Sequence, residues 1–283
     1  MKKAIYFIFT KSVGLYLNSL SFVFPKKAND LAYTLFSKPR KGQLTPDKLP
    51  ATLSSATINT FKNEGQEFAT YTWKGNDTII LLIHGWESNS SRWKKMLPYL
   101  KATGSTIIAL DGPAHGLSSG EEFTIPKYAS AIDVLVTRYR PKYLIGHSFG
   151  GKTCLYYQSH YKNTSIEKVV SLGAPNEFNI ILNNYINLLS LNKKIVTGLH
   201  EKCSTVSKIN LQQFTGKDFA SQLNTKGLIA HDINDKIVNF KEGKAIAAAW
   251  KDVVFIETTG LGHGLHDDTL YNQIIAFLFD TEK

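Results

Sequence analysis

Tyr143-Leu144-Ile145 is a short apolar run that enters Gly146-His147-Ser148-Phe149-Gly150-Gly151 directly, and a helix-forming segment follows. A strand that must become a helix across one serine held between glycines leaves little freedom of fold. The turn is sharp, and the serine sits on it in a strained, exposed position. Small residues at 146 and 150 let neighbouring backbone pack against the bend. The serine also stands at a helix N-terminus, where backbone N–H groups and the helix dipole favour developing negative charge.

The same type of junction recurs along the chain. Phe68 to Trp73 and Thr78 to Ile83 read as strands, parted by the turn Lys74-Gly75-Asn76-Asp77. Thr106 to Leu110 is an apolar run ending at Asp111, and Lys168 to Leu172, Gly227 to Ala230 and Val253 to Ile256 are further strands. Pro126 to Tyr139, Phe240 to Trp250 and Asp268 to Phe279 have helical spacing. Continuous apolar strands separated by helices imply an α/β fold, with a mostly parallel sheet covered on both faces. Ligands of such sheets bind at the carboxyl ends of the strands. The interval 176–222 breaks the alternation and reads as a helical cap insertion over those ends.

Composition adds two limits. The 283 residues are enough for one sizeable core with an insertion. The two cysteines, Cys154 and Cys203, lie far apart and in no metal-ligand spacing, so they read as reduced core thiols. The formal charge of +10 is uneven: residues 1–62 hold ten Lys or Arg against Asp30 and Asp47, which is +8 and leaves +2 for the rest. The body therefore lacks the basic surface expected of a nucleic-acid partner.

Residues 1–62 read as a basic amphipathic segment and linker, and 63–283 as the body. Ile5, Phe9, Val13, Tyr16 and Leu20 fall on one helical face, with Lys26, Lys27, Lys38, Arg40 and Lys41 just beyond. Such a helix suits an anionic membrane surface through residues 1–41; the competing expectation is that it covers apolar surface on the body. No apolar run reaches the roughly 20 residues that span a bilayer. Lys11 interrupts the first run and no Ala-x-Ala site follows, which argues against a cleaved signal peptide. The expected location is the cytoplasm, with peripheral contact at the inner face of the membrane as an alternative. Pro39, Gly42, Pro46 and Pro50 mark the expected linker.

A serine hydroxyl becomes a nucleophile when an adjacent base takes its proton and a carboxylate orients that base. His263 lies in Thr258-Thr259-Gly260-Leu261-Gly262-His263-Gly264, a glycine-rich loop directly after the last strand, with His266 as the alternative. Asp235 follows the strand that ends near Ala230, with Asp232 as its alternative. The chain order Ser148, Asp235, His263 is the one this strand-to-helix serine architecture uses. Acyl transfer also needs oxyanion donors. The Phe149 N–H follows the nucleophile, and the Trp86 N–H, in the loop His84-Gly85-Trp86 after an earlier strand, is the second candidate.

Taken in order, these motifs resemble the α/β-hydrolase superfamily. His84-Gly85-Trp86 resembles its oxyanion loop. Asp111-Gly112-Pro113-Ala114-His115-Gly116-Leu117-Ser118 resembles its Asp-x-Pro-Gly-His-Gly-x-Ser turn, with Ala114 where the family has glycine. Gly146 to Gly150 resembles the nucleophile elbow, and Asp235 and Gly262-His263 the acid and histidine loops. The resemblance covers about residues 63–283. It implies a serine hydrolase acting on carboxylic esters, esterase-, lipase- or lysophospholipase-like, without metal or organic cofactor. Ser148 argues against dehalogenase or epoxide hydrolase chemistry, which uses aspartate there. Asp111, His115, His84 and His147 are expected to be structural. Thioesterase, amidase or carbon–carbon bond hydrolase activity remains open on the same triad, as does a non-catalytic binding role. The substrate is expected to be a small ester, amphiphilic if the N-terminal helix meets lipid. The oligomeric state stays open.

Overall fold

A computed structural model describes residues 2–207 and 209–280. In chain order the helices are α1 (Lys2–Val23), α2 (Pro25–Ser37), α3 (Ala51–Ser54), α4 (Leu97–Ala102), α5 (Ile125–Tyr139), α6 (Phe149–Tyr161), α7 (Phe178–Leu189), α8 (Lys193–Ser207), α9 (Gly216–Ala220), α10 (Phe240–Ala249) and α11 (Asp268–Phe279). The strands are β1 (Thr57–Asn63), β2 (Gln66–Trp73), β3 (Asn76–Ile83), β4 (Ser105–Leu110), β5 (Tyr143–His147), β6 (Lys168–Leu172), β7 (Lys226–Asp232) and β8 (Val253–Thr258). The chain divides into two compact units: residues 1–38 with 177–215, and residues 39–176 with 216–283.

The larger unit is built on one eight-stranded sheet in the order β1-β2-β4-β3-β5-β6-β7-β8. β1 pairs antiparallel with β2, and β2 antiparallel with β4. Every later pairing is parallel. β5 and β6 are buried along their whole length, as strands covered on both faces are. Ile80, Leu82, Ile107, Ile145, Val170 and Leu228 lie in its main core cluster. β2 and β3 are consecutive in sequence, but β4 runs between them, so the turn at residues 74–77 does not close a hairpin.

The boundary expected at residue 62 is corrected here. Thr57–Asn63 is a strand of the sheet, and its exposed edge position explains why its polar sequence carries no apolar signature. Residues 39–50 are no free linker either. Gly116 N donates to Gly42 O at 2.8 Å, Leu44 N to Gly116 O at 2.9 Å and Asn89 Nδ2 to Gly42 O at 3.1 Å, so this segment is tied to the loops around Asp111.

The smaller unit joins α1 and α2 to α7 and α8, so the inserted helices and the N-terminal helices share one core. Leu17, Ala32, Tyr33, Leu182, Leu189, Ile195, Leu199 and Cys203 are buried there together. The inward face of α1 is not the one expected. Thr10, Gly14, Leu17 and Ser21, at helical spacing, form the buried stripe, while Ile5, Phe9 and Tyr16 are 56–64% exposed. Close approach decides this. A side chain at Gly14 would overlap the Leu189 carbonyl, so the small stripe is the one that fits against α7. Polar contacts reinforce it. Lys11 Nζ donates to Leu188 O at 2.9 Å and to Ser190 Oγ at 2.8 Å, satisfying the carboxyl end of α7. Asn18 Nδ2 donates to Ser190 O, and Asn192 N donates to Asn18 Oδ1.

Candidate active site

Each chemically loaded side chain sits just past the carboxyl end of a parallel strand. Ser148 follows β5 with φ 54° and ψ −122°, a left-handed backbone that costs a non-glycine residue about 1–3 kcal/mol and is retained where surrounding packing enforces it. The enforcement is visible. Ser148 N donates to Leu172 O at 2.7 Å, and α6 begins at the next residue. A Cβ on Gly150 would overlap the carbonyl of Ile83, so only glycine lets the elbow sit this close to β3.

Asp235 comes from the turn after β7 and His263 from the short helical turn after β8. His263 Nε2 lies 3.0 Å from Ser148 Oγ, and His263 Nδ1 lies 2.7 Å from Asp235 Oδ2. The imidazole therefore bridges hydroxyl and carboxylate. Asp235 Oδ1 accepts from Ile237 N at 2.8 Å and Val238 N at 3.0 Å. Burial opposes ionisation of Asp235, but the hydrogen bonds from His263 and these two amides outweigh it and hold the carboxyl below its ordinary range.

The alternatives lie elsewhere. Asp232 Oδ2 accepts from Thr258 Oγ1 at 2.8 Å and Leu261 N at 2.9 Å, so it ties the acid turn to the histidine loop. His266 Nδ1 faces Tyr271 Oη at 2.7 Å instead of Ser148. Its pKa is lowered to about 4, first by desolvation and then by Arg92 and Lys95.

The loop His84-Gly85-Trp86 is packed onto the elbow. A Cβ at Gly85 would stand 2.9 Å from both His147 O and Ser148 Cβ, so glycine lets this backbone lie beside the nucleophile. Two neutral histidines hold the loop in place. His84 Nε2 accepts from Gly112 N at 2.8 Å, which leaves Nδ1–H to donate to Gly85 O at 2.7 Å. His115 Nε2 accepts from Glu87 N at 2.9 Å and Nδ1–H donates to Pro113 O at 2.8 Å. Burial lowers both pKa values to about 4, consistent with these tautomers. Asp111, buried beside them, accepts from Ser90 N, Tyr71 Oη and Leu117 N. Its pKa is raised by desolvation despite those bonds. Trp86 and Phe149 are half-buried, and with Phe123 they form an aromatic cluster with ring centroids 5.5–6.4 Å apart.

Two supports were not legible in the sequence. His147 Nε2 donates to His263 O at 2.7 Å, and Arg92 Nη2 donates to Gly264 O at 3.0 Å. Together they clamp successive carbonyls of the histidine loop. Among the described residues no cluster of three or more His, Cys, Asp or Glu side chains could hold a metal ion. Cys154 and Cys203 are both buried and neither is in a disulfide.

Comparison with known proteins places this geometry. Residues 78–196 match the family model described as alpha/beta hydrolase fold. A probable serine hydrolase of Drosophila melanogaster is 32% identical over 100 residues, 33% of this chain and 30% of that protein. Phospholipase YtpA of Bacillus subtilis is 22% identical over 135 residues, 44% of this chain and 52% of that one. The chain thus spans about half or less of these curated relatives. The crystal structure of a putative lipase (lip1) from Acinetobacter baumannii superposes with a TM-score of 0.64 at 16% identity, over 83% of this chain and 98% of that one.

Proposed function

The chain belongs to the α/β-hydrolase superfamily, and from that premise we propose that it is a serine carboxylic-ester hydrolase working through an acyl-enzyme. The observation that carries this reading is the His263 imidazole held 3.0 Å from Ser148 Oγ and 2.7 Å from Asp235 Oδ2. Ser148 Oγ attacks the ester carbonyl carbon while its proton passes to His263 Nε2. Asp235 fixes the Nδ1–H tautomer and stabilises the imidazolium. The carbonyl oxygen, now an oxyanion, is received by the N–H groups of Phe149 and Trp86, each such donor being worth about 10²–10³ in rate. Collapse expels the alcohol with the proton from His263. Water then adds to the acyl-enzyme by the same base, releasing the acid and regenerating Ser148.

The Trp86, Phe123 and Phe149 rings put an apolar wall next to the elbow, which supports an ester with an apolar acyl or alcohol moiety. The phospholipase among the relatives points to the same substrate class. A panel of p-nitrophenyl esters from acetate to palmitate, with acyl-CoA thioesters and anilides alongside, tests the proposal. Esters with the longer acyl chains should show the highest kcat/KM, with thioesters and anilides turned over more slowly. Folded protein that turns over no ester would contradict it, and preferred cleavage of the thioesters would reassign the substrate.

A further inference from the structure

α1 turns its apolar side chains the wrong way for a helix packed only on protein. Its buried stripe is Thr10, Gly14, Leu17 and Ser21. Its outer surface carries Ile5, Tyr6, Phe7, Ile8, Phe9, Leu15, Tyr16, Phe22 and Val23, and Phe24 follows, each 56–69% exposed. Over Ile5 to Phe9 the helix is apolar all round, a pattern that belongs inside protein or lipid. The one charged residue between Ala4 and Phe24 is Lys11, and its Nζ is turned to the carboxyl end of α7, so no charge interrupts the outer face. Apolar patches of this extent mark interaction sites.

The rim of this surface is basic. Lys26 and Lys27 stand in the first turn of α2, behind Phe24 and Pro25, and Lys193 and Lys194 open α8; all four are exposed. Lys194 Nζ stands 4.6 Å from the centroid of the Phe22 ring, so cation and exposed aromatic share one edge. The unit formed by residues 1–38 and 177–215 holds ten lysines against Asp30, Glu177 and Glu201, a net +7, which leaves +3 of the +10 for the rest of the chain. Asp30 is paired with Lys202 at 2.8 Å. Apolar aromatics edged by lysines fit an anionic lipid surface, which takes the rings between its headgroups and the lysines over them. A second copy of the chain fits poorly, because it would bring two +7 units face to face.

We propose that α1 lies in the headgroup layer of an anionic bilayer, with its outer face immersed and Lys26, Lys27, Lys193 and Lys194 over the acidic headgroups. The helix, about 33 Å long at 1.5 Å per residue, lies along the surface. None of the described helices is long and apolar enough to cross a membrane. Binding is read without substrate, so it stands or falls separately from ester hydrolysis.

The test is flotation of the full chain with phosphatidylglycerol–phosphatidylcholine vesicles and with pure phosphatidylcholine vesicles, beside sedimentation velocity without lipid. The chain should float with the anionic vesicles, at least about tenfold less with the zwitterionic ones, and less as salt rises. Phe7→Ser/Phe9→Ser/Phe22→Ser should lower partitioning by on the order of a hundredfold or more. Lys26→Gln/Lys27→Gln, which leaves the apolar face intact, should lower it about fivefold per lysine. Failure to float with either vesicle overturns the proposal. So does equal binding to both vesicles that neither variant weakens. A lipid-independent dimer that the phenylalanine variant dissociates, without vesicle binding, would assign the face to a second copy.

Discussion

The β5–α6 elbow and α1 both carry apolar runs, yet burial runs in opposite directions in the two. Around the elbow, Leu144, Ile145, Ile83 and Leu172 are buried, and Ser148 is itself only 8% exposed. In α1 the stripe Thr10, Gly14, Leu17 and Ser21 goes inward, and the phenylalanines stay outside at 61–68% exposure. In the first region the apolar effect and the fold agree, so hydropathy reads out structure. In the second, what faces inward is set by steric fit at Gly14 and by hydrogen bonds of Lys11 and Asn18, and the apolar surplus is left exposed.

Substitutions can break that contrast, and the largest effect belongs to the elbow. Ser148→Ala should lower kcat for p-nitrophenyl esters by about 10⁶-fold with the fold unchanged, as measured by steady-state kinetics and circular dichroism. Asp235→Asn keeps the shape but stabilises the wrong imidazole tautomer, so kcat should fall about 10⁴-fold. Asp232→Asn, which loosens loop contacts without touching His263, should cost far less; equal losses would mean that the carboxylate assignment fails.

Next in size is a response to acid confined to the sheet unit. An unfolded histidine takes a proton near pH 6.5, whereas His84 and His115 take theirs only near pH 4. Between those values the unfolded chain binds more protons, so stability falls as pH drops through the window and is unaffected above pH 7. By pH 5 the loss should be about 2 kcal/mol per histidine, read from urea midpoints at pH 7 and pH 5. Midpoints that do not move would mean that these rings are not held neutral.

The last contrast, which ends on the smallest effect, is between the two sides of α1. Leu17→Ala, at a fully buried position, should cost about 2–5 kcal/mol in urea unfolding. Phe9→Ala, one of the exposed set, should change stability by no more than about 0.5 kcal/mol. Equal costs would mean that the outer face is packed on protein in solution.

Much of the fold and the position of the site were legible in the sequence, for a physical reason. Ser148 and Asp235 each follow a run buried in the parallel sheet, and His263 follows the partly exposed edge strand β8, whose Val253 to Ile256 is still a continuous apolar run; such runs announce themselves without reference to the rest of the chain. Thr57–Asn63 did not, because an edge strand open to water on both sides needs no apolar pattern. The clamp of His147 and Arg92 on the histidine loop was also silent, since its partners are backbone carbonyls, which carry no mark in the side-chain sequence. The buried stripe of α1 was missed because periodicity weighs hydrophobicity and is blind to the van der Waals fit that favours glycine.

The most direct test of the central claim is to expose the folded protein to a fluorophosphonate and map the adduct by mass spectrometry. An imidazole that takes the Ser148 proton predicts one adduct, on the peptide carrying Ser148, absent from Ser148→Ala and formed far more slowly in His263→Ala. No adduct on folded protein, or an adduct on a different serine, would contradict it.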